Sequence, residues 1–424
     1  MSNAHHEVEF RPLRHRYWTP TVFVLLLIAM VGWGFVLTRF VFGLGSITHL
    51  SNEFGWGMWI GVDVATGVAL AAGGFTTAFI AHIWGRHEYS AITRAGTLSA
   101  MLGYTFVALA VVVDLGQWYY IWHVPLPWWW QGNSALFEVG MCVVLYLITL
   151  YVEFVPFIVE EFMGKVNFPG MLEWLNKPLE WLLWALDITI VRGMWFFLIL
   201  GVVLSCAHQS SLGTVMALMP FKLHHLWWTR MLPAFFLASA IAVGFPMVMF
   251  EGLIEARSFK LKPEMHIYRK LARYTPWLIG FYLLLRFGDL TVRGVWSLVG
   301  EGSLQSHMFI IEIALFLIAF ILFAIPKIRG NPRTLFVACC IMIVSVILNR
   351  VDTYLIGYTP PFMEARYYPA IGELFATAGL VCTLILIYRF LVIYIPILPT
   401  AHEASHPPGH VPAAAPASAG GGGQ

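Results

Sequence analysis

Ten stretches of this sequence are each about 20 mostly apolar residues long, and that repetition limits the fold more than any other feature. They lie at roughly 20–42, 57–84, 94–115, 133–159, 180–207, 230–256, 274–291, 307–326, 333–356 and 369–396. At about 1.5 Å per residue, each is long enough as a helix to cross a hydrocarbon layer of roughly 30 Å. Lipid offers the backbone no hydrogen-bonding partner, so such a run crosses as a helix. Only 11% of the residues are charged, where a soluble domain carries about a quarter. The sequence therefore reads as an all-α integral membrane protein of about ten transmembrane helices. A cytoplasmic segment 1–19 precedes the transmembrane domain 20–396, and a Pro/Ala/Gly-rich tail, 397–424, is expected to be disordered. The fifth stretch is the least uniform, because Asp187 and Arg192 interrupt it.

Orientation follows from the basic residues. With the N-terminus inside, the inner connections hold 17 of the 25 Lys and Arg, including Arg11, Arg14, Arg16 and the run from Arg257 to Arg273. Both termini are thus expected in the cytoplasm of a bacterium, the spans in its inner membrane. The first apolar run follows three arginines and lacks a small-residue cleavage site, so it reads as a retained span rather than a signal peptide. The outer connections are aromatic, with Trp118, Tyr119, Tyr120, Trp122 and Trp128 to Trp130, as suits anchors at the headgroup level. The inner connection 160–180 mixes apolar and charged residues and is expected to lie flat on the membrane. The net charge of +2 says little about partners, because the arrangement of the charges matters more than their sum; no nucleic-acid partner is expected.

A faint parallel repeat runs through the chain. Leu44-Gly45 recurs as Leu212-Gly213, Asp114-Leu115 as Asp289-Leu290, and Glu138 as Glu312. Two four-helix bundles plus two extra helices fit this spacing.

Ionisable groups inside a membrane cost roughly 2.5–3.5 kcal/mol each on insertion scales, so they are the functional candidates. Asp63 and Glu138 lie roughly 9 Å in from the outer ends of spans two and four. Asp114 ends span three on the outside, and His208 ends span five there. These four are expected to gather in the outer half, with Glu138 and Asp63 buried. Tyr104 sits mid-depth in span three, while Glu251 and Glu153 lie near inner ends. Groups at outer, middle and inner depth are what a proton path needs. Asp114, Asp289 and Glu153 are equally readable as wet helix ends, and His208 as a histidine bonded to a backbone carbonyl. Glu312, Glu373 and Arg286 read either as a structural ion pair or as part of the site. Gly61, Gly67, Gly73 and Gly74 of span two read as a close-packing face.

Cys142, Cys206, Cys339, Cys340 and Cys382 all lie in apolar runs without a C-x-x-C pair, which argues against an iron–sulfur cluster, structural zinc or any other metal site. Transmembrane haem needs facing histidines. His82 and His208 are the helix histidines, at opposite faces, so no haem is expected.

The runs RFVFGLGSITHLSNEFGWGMWIGVDVATGVALAAGGF, LGYTFVALAVVVDLGQWY, NSALFEVGMC, HQSSLGTVM, FEGLIEA and LRFGDL resemble the polysulfide-reductase membrane-subunit family, also called NrfD-like, across nearly the whole chain. Within it, the HybB-type membrane subunit of periplasm-facing uptake NiFe hydrogenases is the nearest match. The resemblance implies two four-helix bundles, with two further helices in ten-span members. It also implies a haem-free protein passing electrons between a membrane quinone, menaquinone or ubiquinone, and an iron–sulfur ferredoxin-like subunit on the periplasmic face. Catalytic partners would be the hydrogenase large and small subunits. The matching residues are Asp63, Tyr104, Asp114, Glu138, His208 and Glu251: His208 and Asp114 on the quinone headgroup, Glu138 and Asp63 on its protons, Tyr104 and Glu251 linking inward. A molybdopterin- or cytochrome-linked complex would use the same scaffold, and a secondary transporter is the rival of another class.

Overall fold

A computed structural model describes residues 12–13, 15–83, 89–361 and 366–399. Nine of its helices are long and apolar enough to cross a membrane. They are α1 (Pro20–Phe42), α2 (Trp59–Ala81), α3 (Ser90–Asp114), α4 (Ala135–Phe162), α6 (Met194–Ala217), α7 (Leu232–Ser258), α9 (Leu304–Ala324), α10 (Pro332–Ile356) and α11 (Ile371–Tyr394). The tenth is α8 (Met265–Arg293), 29 residues long, whose apolar middle is diluted by basic residues at one end and Arg286 and Asp289 at the other. The chain is a multi-pass membrane protein with no strand among the described residues. The expected disordered tail lies outside these residues from 400 onward.

The fifth span differs from the sequence reading. The run from residue 180 breaks at Asp187–Val191, where the backbone takes a π turn, and again at Gly193. A short helix, α5 (Asn176–Leu186), stands apart from the span, which runs instead from Met194 to Ala217. Trp174, Trp181 and Trp184 leave their rings exposed on this segment, as an interfacial helix does. The misreading has a physical cause: an aromatic interfacial helix and a spanning helix are both apolar, and only the Asp187, Arg192 and Gly193 interruption separates them.

Helices α2, α3, α4 and α6 pack in a closed ring, and α7, α8, α9 and α10 in a second; α2 and α6 join the rings through α7. The remaining pair, α1 and α11, packs together and lies against α3. Two bundles and two extra helices are thus present, as the repeat suggested. Small residues set the closest approaches. A Cβ on Gly74 of α2 would lie 2.5 Å from the Ala100 side chain and 2.9 Å from the Gly96 carbonyl of α3. Gly32 and Gly379 bring α1 and α11 together in the same way, 2.7 Å separating a Cβ on Gly379 from the Gly32 Cα.

Candidate site: a ladder of polar groups at three depths

The outermost group is acidic. Asp63 sits in a π turn, Trp59–Val64, that opens span two, and accepts a hydrogen bond of 2.7 Å from Thr377 of α11. Asp114, at the end of α3, lies close enough to act electrostatically on Asp63, and its Oδ1 is buried without a partner. Arg39, fully buried at the end of α1, donates to the carbonyls of Val113 (2.5 Å) and Leu115 and so brings a cation beside Asp114. Glu373 of α11 accepts from the His49 amide at 3.0 Å and from the Tyr367 hydroxyl, which itself accepts from the Met58 amide at 2.8 Å. Tyr367 lies in the loop before α11. Burial first, then its bond to Glu373, pushes its phenol up, so it stays a donor. The structure brings Asp63 and Asp114 together as expected. It adds Arg39, Thr377, Tyr367 and Glu373, of which only Glu373 stood out in the sequence.

The second level is mid-membrane, and here His208 departs from expectation. Because α6 runs on to Ala217, His208 lies about 14 Å below the outer end of its helix. It is fully buried, its ring centroid 5.6 Å from that of Tyr104, which in turn meets Tyr146 edge-on at 4.4 Å. Tyr104 is about 15 Å below Asp114 along α3, so His208 and Asp114 cannot touch one headgroup together. Around His208, Ser205 and Gln209 are also fully buried, and Gln209 anchors its amide on the Val68 carbonyl at 2.7 Å. Ser205 lies within hydrogen-bonding reach of the Tyr104 and Tyr146 hydroxyls, while both His208 nitrogens and the Gln209 carbonyl oxygen have no partner among the described residues. Three such atoms on adjacent buried residues mark a place suited to water or a ligand, since buried polar groups are otherwise paired.

Glu138 is likewise not where the sequence reading put it. It sits in the first turn of α4 and is exposed on the protein surface, accepting 2.6 Å from Ser211 of α6. Ser211 is one helical turn above His208, so the carboxylate reaches toward the His208 cluster from the surface instead of lying buried beside Asp63. Glu153 is buried where Gly201 of α6 leaves room for its carboxylate.

The third level is at the inner end. Glu251 of α7 bonds Ser99 of α3, and Glu255, one turn on, accepts from the Tyr388 hydroxyl of α11. A small cavity of about 30 Å³, room for a water, is lined by Gly96, Glu251, Gly252, Glu255, Glu264 and Tyr268. Glu255 escaped the sequence reading although it repeats Glu251 at i+4.

The second bundle holds a separate buried network. Glu312 accepts from Trp227 and Asn349, both at 2.8 Å. Arg286 donates to the Leu226 carbonyl at 3.1 Å, and Arg350 to the Phe236 carbonyl at 3.0 Å and Ser239 at 2.9 Å. Asp289 takes Thr229 (2.6 Å) and Arg293, a local clamp on the loop before α7.

The family model described as polysulphide reductase, NrfD, matches residues 46–359. The chain belongs to the NrfD family. The matched stretch contains the eight spanning helices of the two bundles and excludes α1 and α11, so Arg39, Tyr367, Glu373 and Thr377 lie outside it. Over 374 residues the chain is 32% identical to a protein of Escherichia coli K12 named probable Ni/Fe-hydrogenase 2 b-type cytochrome subunit, covering 88% of this chain and 90% of that one. It is 26% identical over 417 residues to the menaquinone reductase, integral membrane subunit, of Nitratidesulfovibrio vulgaris Hildenborough, covering 91% and 92%.

The first of those names speaks of a b-type cytochrome, and the described residues do not fit a haem. Among the described residues His208 is the one histidine buried within a span, and its ring faces Tyr104 and not a second histidine. His82 is near the opposite end of α2, and its side chain falls outside the described residues.

Proposed function

We propose that this protein is the quinone-reactive membrane subunit of a respiratory oxidoreductase in a bacterial inner membrane, with both termini in the cytoplasm. We take its complex to be a NiFe hydrogenase, in which an iron–sulfur subunit on the periplasmic face delivers electrons to menaquinone or ubiquinone. The observation that carries this reading is the ladder itself: acidic, then neutral, then acidic polar groups at three depths, in and against the first bundle, with α7 and the extra helices supplying part of its two ends. The names of the relatives, a hydrogenase subunit and a menaquinone reductase subunit, support the same role.

Reduction of a quinone takes two electrons and two protons. In this reading the electrons come from the iron–sulfur subunit, and the residues of this chain act on the protons. Asp63 and Asp114 are the headgroup contacts in this reading, with the Arg39 cation and the Tyr367 donor beside them to offset negative charge. His208 and Tyr104, about 15 Å deeper, relay protons through water held by Ser205 and Gln209. His208 therefore serves the protons and not the headgroup, because of its depth. Glu138 and Ser211 connect that cluster to the outer surface, and Glu251 connects it to the inner one.

Purification from native membranes in mild detergent, with mass spectrometry of what stays bound, tests the assignment. Co-purifying iron–sulfur, large and small hydrogenase subunits is the expected result. The likeness to a menaquinone reductase subunit favours a second reading, the same quinone role with another catalytic partner, and a molybdopterin or cytochrome subunit in its place would establish that. A chain that purifies alone, and moves a solute in vesicles, would replace both with a transporter.

A further inference from the structure

One cavity of the molecule belongs to neither bundle. It is an open groove of about 560 Å³ between the segment that precedes α1 and the last turns of α11. Its floor is apolar, formed by Leu386, Ile387 and Phe390, and its rim carries Arg16, Trp18 and Tyr394. The wall is fixed in place. Arg389 donates to the Tyr17 carbonyl at 3.3 Å and the Arg16 carbonyl at 3.0 Å, while the Tyr17 hydroxyl donates to the Leu386 carbonyl at 3.2 Å. Edge-on contact of Tyr17 with Phe390 at 6.0 Å, and stacking of Trp18 on Phe23 at 5.5 Å, extend that wall.

Charge and depth define what fits. The groove opens where α1 begins and α11 ends, at the level of the headgroups, as the Tyr and Trp rim requires. Arg16 is exposed at its mouth, and the bonded Arg389 adds a second positive charge behind it. Arg389 lies 5.4 Å from the Phe259 ring, which links this corner to the exposed basic end of α7, Arg257 and Lys260. Among the described residues, no acidic side chain lines the groove. An apolar trough leading to a cationic mouth is the shape of one amphiphile: an acyl chain along Leu386–Phe390, and an anionic headgroup on Arg16.

We propose that this groove is a binding site for an anionic phospholipid of the leaflet that faces the chain's N-terminus. A bound lipid would close the seam between the N-terminal segment and α11, the extra helix whose Thr377 and Glu373 reach the outer acidic group. The inference is independent of the quinone reading.

The test uses the full chain, in its complex, reconstituted with equal parts phosphatidylglycerol and phosphatidylcholine and then extracted gently for native mass spectrometry of retained lipid. Wild type is expected to retain phosphatidylglycerol in strong preference. Each basic group near the surface contributes about a fivefold preference for anionic lipid, so Arg16→Ala should lower it by about that factor and Arg16→Lys should restore most of it. Ile387→Trp, at an exposed floor position, should reduce retention without touching a charge. Both positions are exposed, so the variants are expected to fold. Equal retention of the two lipids by wild type would overturn the proposal. So would wild-type preference persisting in both Arg16→Ala and Ile387→Trp, or displacement of the lipid by inorganic phosphate.

Discussion

Asp63 and Glu138 looked equivalent in the sequence, each a carboxylate several residues into a span, and the fold gives them opposite surroundings. Asp63 is walled in by an extra helix and held by Thr377; Glu138 stands on the surface and is held by Ser211. General acid–base groups contribute about 10²–10⁴-fold, so Asp63→Asn should lower quinone reduction by the intact complex by about 100-fold. Thr377→Val removes one hydrogen bond from Asp63 and should cost less, about tenfold, by the usual strength of a bond to a charged group. Both are read from steady-state quinone reduction at saturating hydrogen or other donor. Glu138→Gln keeps the bond to Ser211 but cannot carry a proton. It should slow turnover without raising the KM for quinone, and a raised KM with unchanged kcat would remove its relay role. The carboxylates were legible because lipid makes them conspicuous. Ser205, Gln209 and Thr377 were not, since a neutral polar residue in a span is ordinary until its neighbours are known.

At the scale of elements, the glycines of α2 were readable as a packing face, and the fold bears that out at Gly74, whereas the Gly32–Gly379 crossing of α1 and α11 emerges only from the fold. Gly74→Val would push α2 from α3, and overpacking of this kind costs about 1–3 kcal/mol. The expected outcome is a lower melting temperature of the purified complex, with Tyr104 displaced from His208 and turnover reduced in step. The second bundle was legible only in part. Glu312 and Arg286 were conspicuous as charges, but their partners are Trp227, Asn349 and the Leu226 carbonyl, which no spacing rule announces. Removing one member of a buried charged network leaves the others unpaired, at about 3–5 kcal/mol. Glu312→Ala should therefore impair assembly more than Asp63→Asn does, measured as complex recovered from membranes, while Asp63→Asn impairs turnover more.

For the whole molecule, hydropathy gave the number of spans, because it is a property of long segments and survives local error; basic-residue asymmetry proposes the direction of the chain. The boundary of span five did not survive, since an aromatic interfacial helix precedes it. An even number of spans puts the termini on one side, so tags at residue 1 and residue 424 should both be protected from protease in right-side-out vesicles. Outside the family match, α1 supplies Arg39, the loop before α11 supplies Tyr367, and α11 supplies Glu373 and Thr377 to the outer acidic group, which makes that group a property of the ten-helix assembly and not of the first bundle alone. The central claim is that quinone reacts there. Photolabelling of the intact complex in native membranes with an azido-quinone, followed by peptide mapping, tests it most directly. The account predicts label on the start of α2 around Asp63, on the outer end of α3 around Asp114, or on the loop carrying Tyr367, competed away by unmodified quinone. Competable label confined to the second bundle or to the inner ends of the helices would contradict it.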